Sequence, residues 1–524
     1  MKKVMIFIGW ILSFVRYHNK PNAFKKFKQI KKNHPSGNNN SKIDERILVL
    51  PINVSPTSSL FEGLMAEFLS DKGYEVYCLL ENGELEYSEY SNATKNNFVT
   101  RCLSIYEQKC FINTFNTNPI YYQKSDTFID ISSMSLKKCY QLNYRGVEVG
   151  KHAMYGVMRY LMISELNESH AWLFQKFLNT SISTVEAVEN AIKKTNPSYA
   201  LISHGCYSTW GTALETLKKH NVETRVWGRG YIGKGSLIIS KDESYLLSRI
   251  RDNRHLWENS ELSDNSIEKL IAYYREKSNP KSEVDFVNYY EGSQSDDNRF
   301  SFLKEKSMNY KRIVGVYPNI PWDGTMYSSS EVFPTAKSFA AFIKNAALEM
   351  QDTCFIVRCH PAEKARKGNI SQQTFQDLLL ELEVDKIENV IILESDSTIS
   401  SYDVASISNT ALMYGSTLAL EFLMNRQPVI QLGRSNVSNK GLLMEPNSIK
   451  EAINFLNSDH VISEEEYSMI VKYANYWVND NHQEDPVVEL YKLSFLKFKF
   501  DSYNEFLNND DFKELSEKIV NMSK

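Results

Sequence analysis

Apolar and polar positions along this chain fall into blocks that read as strand, loop, helix, strand. Arg46 to Leu50 (RILVL) is a short β-rich run, Pro51 to Ser59 is turn-rich, and Leu60 to Leu69 has helical apolar spacing. Tyr74 to Leu80 (YEVYCLL) predicts the next strand. The pattern repeats from Tyr199 (YALIS), through a loop from His204 to Gly211 and a helix to His220, into the strand Thr224 to Gly228 (TRVWG). It starts again at Arg312 (RIVGVYPN), with a helix from Ala336 to Met350 and a strand from Thr353 to Arg358 (TCFIVR). Asn389 to Leu393, Thr410 to Met413 and Pro428 to Leu432 predict further short buried strands, with a helix from Ser416 to Asn425 between the last two. Strands alternating with helices imply parallel sheets covered on both faces. The expected fold is therefore α/β, with two tandem Rossmann-like doubly wound domains and a helical tail. Ligands of such sheets sit at the carboxyl ends of the strands, so two facing domains would enclose a cleft.

The polar stretch Ser278 to Ser301, with Gly292 to Asn298 inside it, reads as an interdomain linker. The expected division is an N-terminal segment and linker at 1–41, a first domain at 42–290, a second at 302–480, and C-terminal helices at 481–524. Val4 to Val15 is an apolar run broken only by Gly9 and Ser13. It is shorter than the roughly 20 residues a spanning helix needs, and no small-residue cleavage site follows it. Arg16, Lys20, Lys25, Lys26, Lys28, Lys31 and Lys32 come next, and Asn33 to Ser41 reads as a flexible connection. Apolar beside cationic sequence suits the anionic inner leaflet of the cytoplasmic membrane. A buried element with a solvated basic face is the alternative.

Composition narrows the class. The 524 residues are 42% apolar and 24% charged, enough for large cores, which excludes a disordered or collagen-like chain. A net charge of −4 provides no global basic field, so no nucleic-acid partner is expected. The seven cysteines are scattered, with no C-x-x-C, which points to a reducing cytoplasm and away from structural zinc. There is no H-E-x-x-H, EF-hand loop, Walker loop, G-x-G-x-x-G or G-x-S-x-G, and no metal or cofactor is expected.

Four constellations stand at predicted strand ends. Arg358-Cys359-His360-Pro361-Ala362-Glu363-Lys364 sends Arg, His and Lys off one edge, a set suited to phosphate; a solvated turn is the bland reading. Tyr414-Gly415-Ser416-Thr417 runs into an apolar helix holding Glu421, where hydroxyls and amides would meet an anion or simply cap the helix. Glu421 would accept from ribose hydroxyls or be an ordinary paired helix residue. Tyr317 to Gly324 (YPNIPWDG) is a binding-loop candidate in which Asp323 is either a base or an Asx turn. Ser203-His204-Gly205 and Gly228-Arg229-Gly230 to Gly235 end two strands of the first domain, the glycines allowing close backbone approach or only tight turns.

Taken in order, HGCYSTWG from His204, WGRGY from Trp227, YPNIPWDG from Tyr317, VRCHPAE from Val357 and YGSTLALE from Tyr414 resemble the bacterial capsule polysaccharide biosynthesis family of two-domain glycosyltransferases, including its Kdo and sialyl-type members. The resemblance spans Tyr199 to Gly433, about half the chain. It implies a GT-B fold and metal-independent transfer of a sugar from a nucleotide donor to a growing, lipid-linked capsule or lipopolysaccharide glycan. By that resemblance His360, Ser416 and Thr417 contact donor phosphate or nucleotide and Glu421 holds the ribose; the basic side chains of Arg358 and Arg229 are expected to assist. Asp323, His204 and Glu363 are the candidates for the catalytic base. The paired-acid motif of bacterial sialyltransferases is missing from the first domain, so CMP-, UDP- and GDP-linked donors all remain open. A teichoic-acid-type polyol-phosphate transferase and a catalytically silent scaffold of a capsule complex are the rival readings.

Overall fold

A computed structural model describes residues 2–16, 23–32, 43–55, 59–89, 91, 93, 95, 97–123, 125–230, 232–233, 235–279, 282, 284–285, 297–324, 329–365, 371–492 and 495–522. The chain forms two compact units. Met1–Leu161, Leu166–Tyr245 and Gln483–Lys524 make unit 1; Met162–Glu165 and Leu246–His482 make unit 2. The division at Tyr245 lies upstream of the polar stretch 278–301 that the sequence suggests as a linker. In that stretch Ser282 and Asp285 are buried, and residues 286–296, which hold most of its Gly-Ser-Asp run, lie outside the described residues.

Unit 1 is built on a seven-stranded sheet. Its strands are β1 (Arg46–Leu50), β2 (Glu75–Leu80), β3 (Asn118–Tyr121), β4 (Tyr199–Ser203), β5 (Glu223–Gly230), β6 (Ser236–Lys241) and, from the far end of the chain, β12 (Gln483–Glu484). The order is β12-β6-β5-β4-β1-β2-β3. β1 to β5 run parallel, and β6 and β12 are antiparallel additions at one edge. Side chains of a strand alternate between faces, and here both faces are apolar. Ile47, Val49, Cys78, Leu80, Tyr199 and Leu201 meet helices Ala23–Lys32, Leu60–Asp71 and Asp510–Val520 on one side. Leu48, Leu50, Leu79, Ala200 and Ile202 meet helices Ala171–Thr195 and Thr212–Lys219 on the other. That is why RILVL and YALIS read as near-continuous runs rather than alternating ones.

Unit 2 carries a five-stranded, wholly parallel sheet of β7 (Arg312–Pro318), β8 (Thr353–Arg358), β9 (Val390–Leu393), β10 (Thr410–Tyr414) and β11 (Val429–Gln431), in the order β11-β10-β7-β8-β9. Val314, Val316, Phe355, Val357, Leu412 and Ile430 face helices Ala336–Glu349, Phe375–Glu381 and Ile449–Leu456. On the reverse face Tyr317 meets Phe422 edge-on, ring centroids 4.9 Å apart. The expected pair of doubly wound α/β units is thus present.

The tail differs from its helical expectation. Helices Glu464–Asn475, Tyr503–Asn508 and Asp510–Val520 form, but between them lie β12 and a hairpin of β13 (Val488–Lys492) and β14 (Phe495–Phe498). The run VVELYKLSFLKFKF from Val487 alternates with a period of two, and that pattern outweighs its lysines. The last residues belong to the core of unit 1, where Phe506, Phe512, Leu515 and Ile519 join Phe24 and Phe27. Arg225 of β5, fully buried, donates from Nε to the Ile519 carbonyl at 2.6 Å and pairs with Glu223 at 2.8 Å, so it satisfies the end of the final helix.

The apolar N-terminal run forms helix Lys2–Arg16, lying along helix Asn97–Ile112. Gly9 permits this: a Cβ there would sit 2.1 Å from the Cys102 carbonyl oxygen. Among the described residues no helix is long and apolar enough to cross a membrane.

Candidate functional site

In unit 2 the chain begins at β7, winds outward through β8 and β9, then returns to lay β10 and β11 on the other side of β7. The order reverses between β7 and β10, and the crevice outside the carboxyl ends of two such strands is where open α/β sheets bind ligands. The loops leaving that edge are 319–324 after β7, 359–361 after β8, 394–400 after β9 and 415–417 after β10. Asn319 Nδ2 donates to the Gly415 carbonyl at 3.0 Å, clasping the two switch-point loops together. Gly415 has φ of 70°, a conformation that favours glycine, and it turns the chain from β10 toward helix Leu418–Met424. Ser416 is buried and its Oγ accepts from the Leu418 amide at 3.2 Å, whereas Thr417 is exposed and makes no side-chain cap.

His360 lies half-buried on the neighbouring loop. Its Nδ1 accepts from the Ala362 amide at 3.1 Å, so the neutral ring carries its proton on Nε2. Arg358 does not reach the surface of the site. Its guanidinium is 2% exposed and donates to the carbonyls of Ile399 at 2.8 Å, Glu394 at 2.8 Å and Ser397 at 3.2 Å, and to that of Cys359. It ties the exit of β8 to the loop after β9 and leaves a fixed positive charge beneath them. Glu363 is likewise internal. Its carboxylate is fully buried, accepting from the Phe375 amide at 2.8 Å and Ser395 Oγ at 3.0 Å, and burial pushes its pKa up to about 7. It ties helix Ala362–Ala365 to the start of helix Phe375–Glu381 and to the loop after β9, and burial shields it from any acceptor hydroxyl. In loop 319–324 Trp322 is also turned inward, against Met162, Ile320 and Ala362, with Nε1 on Ser371 Oγ at 2.8 Å, while Asp323 is exposed.

Glu421 sits one turn into helix Leu418–Met424, buried. One carboxylate oxygen accepts from the Tyr402 hydroxyl and the other is 3.6 Å from Lys277 Nζ. Lys277 pairs with Asp285 at 2.8 Å, and Asp285 accepts from Tyr273 at 3.0 Å. Burial pulls the Lys277 pKa down, but Glu421, Tyr273 and Asp285 outweigh it and hold the ammonium well above its ordinary range. Lys277, Tyr402 and Asp285 went unseen in the sequence, where each is an unremarkable residue of a helix or of the polar stretch.

Unit 1 repeats the arrangement. β1 and β4 are its switch-point pair, and their loops join through Asn53 Nδ2 on Thr209 Oγ1 at 2.9 Å. Glu89, buried, accepts from the Thr209 amide at 3.0 Å and from the hydroxyls of Ser208 and Thr209. His204 follows β4 in a left-handed conformation (φ 58°). Its ring stacks on Trp210 with centroids 4.8 Å apart, meets Tyr245 edge-on at 5.2 Å, and shares a hydrogen bond with Ser203 through Nδ1. Arg229 of β5 lies over the Trp227 ring and 3.8 Å from buried Asp485. Burial depresses the Arg229 pKa against the pull of Asp485. Below these loops Glu62 is buried, accepts from Trp227 Nε1 at 3.2 Å, and is pushed by burial to a pKa of about 8.

No protein-family model and no curated protein sequence matches this chain. Solved structures do. The KpsC beta-Kdo 2,7 transferase of Thermosulfurimonas dismutans is 16% identical over 65% of this chain and 90% of that one, with a TM-score of 0.31. A glycosyltransferase of Rickettsia africae is 11% identical over 91% and 99%, with a TM-score of 0.27. The UDP-GlcNAc 2-epimerase of Methanocaldococcus jannaschii, solved with UDP-GlcNAc and UDP, is 10% identical over 82% and 99%, also with a TM-score of 0.27. Overlaps of this size leave the fold to rest on the sheet orders given above.

Of the predicted site residues, His360, Ser416, Thr417 and Asp323 all lie in loops at one carboxyl edge of unit 2, with Glu421 in the helix that follows. Arg358 and Glu363 lie beneath that edge as braces. His204 and Arg229 belong to unit 1. Among the described residues no group of three or more His, Cys, Asp or Glu side chains is placed to hold a metal ion.

Proposed function

We propose that this chain is a glycosyltransferase that moves a sugar from a nucleotide donor to a glycan or glycolipid acceptor in capsule or lipopolysaccharide assembly, working in the cytoplasm at the inner leaflet. The observation that carries the reading is the clasped switch point of unit 2, where Asn319 meets Gly415 between the loops that bear Asp323 and Ser416. In this scheme the donor phosphates lie against Ser416, Thr417 and His360 Nε2–H, with the buried Arg358 charge beneath holding the loops and favouring an anion above them. Glu421 keeps a lone pair on each oxygen beyond its Tyr402 and Lys277 contacts, so it accepts from ribose hydroxyls without losing either. Unit 1 is the acceptor side. His204, with a hydroxyl partner on Nδ1 and a stacked ring, is the base candidate there, and Asp323 is the candidate in unit 2. The scheme calls on no metal.

Thermal melting with CMP, UDP, GDP and TDP tests this. One nucleotide class, at 100 times its dissociation constant, is expected to stabilise the wild type by about 2.7 kcal/mol. His360→Ala is expected to lose most of that response while melting normally without nucleotide. A well-folded wild type that responds to none of the four overturns the donor site.

A further inference from the structure

Helix Lys2–Arg16 is apolar on both sides, and among the described residues only one side is covered. Met5, Gly9 and Ser13, one turn apart, are buried against helix Asn97–Ile112, with Ile6, Ile8 and Leu12 flanking them. The outward face carries Val4, Phe7, Trp10, Ile11, Phe14 and Val15, each 43% to 63% exposed. Phe7 and Trp10 stack on one another there, ring centroids 5.8 Å apart. A surface helix normally turns charged or polar residues outward. This one offers an apolar ridge from Val4 to Val15, about 18 Å at 1.5 Å per residue, between Lys2 and Lys3 at one end and Arg16 at the other.

We propose that this ridge docks on an anionic lipid bilayer, the helix lying in the plane of the interface with its outward side chains among the upper acyl chains. It rests on the proposed function only for which leaflet it meets. The charge around the ridge selects this occupant. Residues 1–43 contain ten Lys and Arg and no Asp or Glu, in a chain whose net charge is −4. Part of that charge adjoins the ridge. Tyr106 of helix Asn97–Ile112 touches the Gly9 side of the helix and also lies 5.7 Å beneath Lys25 Nζ, so Lys25 of helix Ala23–Lys32 borders the docked helix, whereas Lys31 of the same helix is paired with Glu67 at 2.6 Å. An apolar face edged with cations matches an acidic headgroup layer, whereas a second copy would set two such cationic segments against each other. The helix is also too short to span a core of about 30 Å, and packing along its length holds it flat on unit 1.

The test is co-sedimentation of the full chain with vesicles of phosphatidylcholine alone and of phosphatidylcholine with phosphatidylglycerol. The wild type is expected to sediment with the anionic vesicles and to be released by high salt. Phe7→Ser with Phe14→Ser, both at exposed positions, is expected to lower partitioning ~10-fold or more while leaving the melting temperature in place. Lys25→Gln with Lys28→Gln is expected to weaken only the anionic-vesicle binding. A wild type that stays in the supernatant with both vesicles, or a Phe7/Phe14 variant that partitions like wild type, overturns the proposal. So does a wild type that avoids vesicles but forms a dimer lost in that variant, which would make the occupant a second copy. Nucleotide melts on the same samples keep the two proposals apart. Vesicle binding with no nucleotide response sinks the transferase reading alone, whereas a nucleotide response without vesicle binding sinks the docking, and with it the inner-leaflet placement, and leaves sugar transfer from a nucleotide donor standing.

Discussion

Arg358→Leu is expected to destabilise unit 2 by about 3–5 kcal/mol and to remove any nucleotide response. The guanidinium is buried and bonds the carbonyls of Cys359, Glu394, Ser397 and Ile399. Leucine fills part of the volume but leaves those buried acceptors without donors, and each orphaned group costs about 1–3 kcal/mol before the loops relax. Relaxation displaces the 359–361 and 394–400 loops, which frame His360. Arg358→Lys keeps the charge but replaces a planar fork with a point donor on a shorter reach, so it is expected to recover less than half of the loss. Urea unfolding checks the stability, and the nucleotide melts check the site. An Arg358→Leu protein as stable as wild type would show that the side chain is not the brace described here.

Glu62→Gln is expected to change the pH dependence of unit 1 rather than its stability in acid. The folded protein holds the Glu62 proton up to a pKa of about 8, against an ordinary value of 4.5, because burial disfavours the carboxylate. Between those values the folded state keeps a proton that the unfolded chain has released, so stability falls as pH rises, by up to about 1.4 kcal/mol per pH unit. The contribution is fully present below about pH 4.5 and has gone above about pH 8, on the order of 3–5 kcal/mol in all. Glu363, raised to about 7, adds a slope of the same sign in unit 2. Glutamine keeps an acceptor for Trp227 Nε1 and never ionises. The variant should therefore match wild type near pH 5 and exceed it at pH 9, seen in urea titrations at both values. Curves that shift in parallel at every pH would rule out Glu62 as the source.

Much of this architecture is legible in the sequence because both sheets are buried on two faces. RILVL, YALIS, RIVGVYP and TCFIVR are strands for the same reason they are apolar. The loops bearing His360, Ser416 and Asp323 could be found because each follows such a run directly. Burial at the site could not. Arg358 and His360 are two residues apart, and nothing in the order of residues tells that one is a fully buried brace and the other only half-buried. Glu363 looks like a surface acid in the first turn of a helix, where acids are ordinarily placed. Glu62 has the same local signature and the same fate. Glu89 lies in a polar stretch with no periodicity, and its partners Ser208 and Thr209 are more than a hundred residues away. The β12–β14 region reads as helix from its lysines and glutamates, although its alternation of apolar and polar positions decides for strand.

The return of residues 483–524 to unit 1 sets the order in which that unit can be completed on the ribosome. β6 emerges early but has no neighbour on its outer side until Gln483 and Glu484 arrive. Phe24, Phe27 and Phe68 likewise await Phe506 and Phe512, which come more than four hundred residues later. Throughout synthesis of unit 2, unit 1 therefore presents an open strand edge and an uncovered aromatic surface, features that invite wrong pairing. A nascent chain stalled near residue 482 should bind trigger-type chaperones and be cleaved readily in its first half, whereas emergence of residues 483–524 should close both sites together.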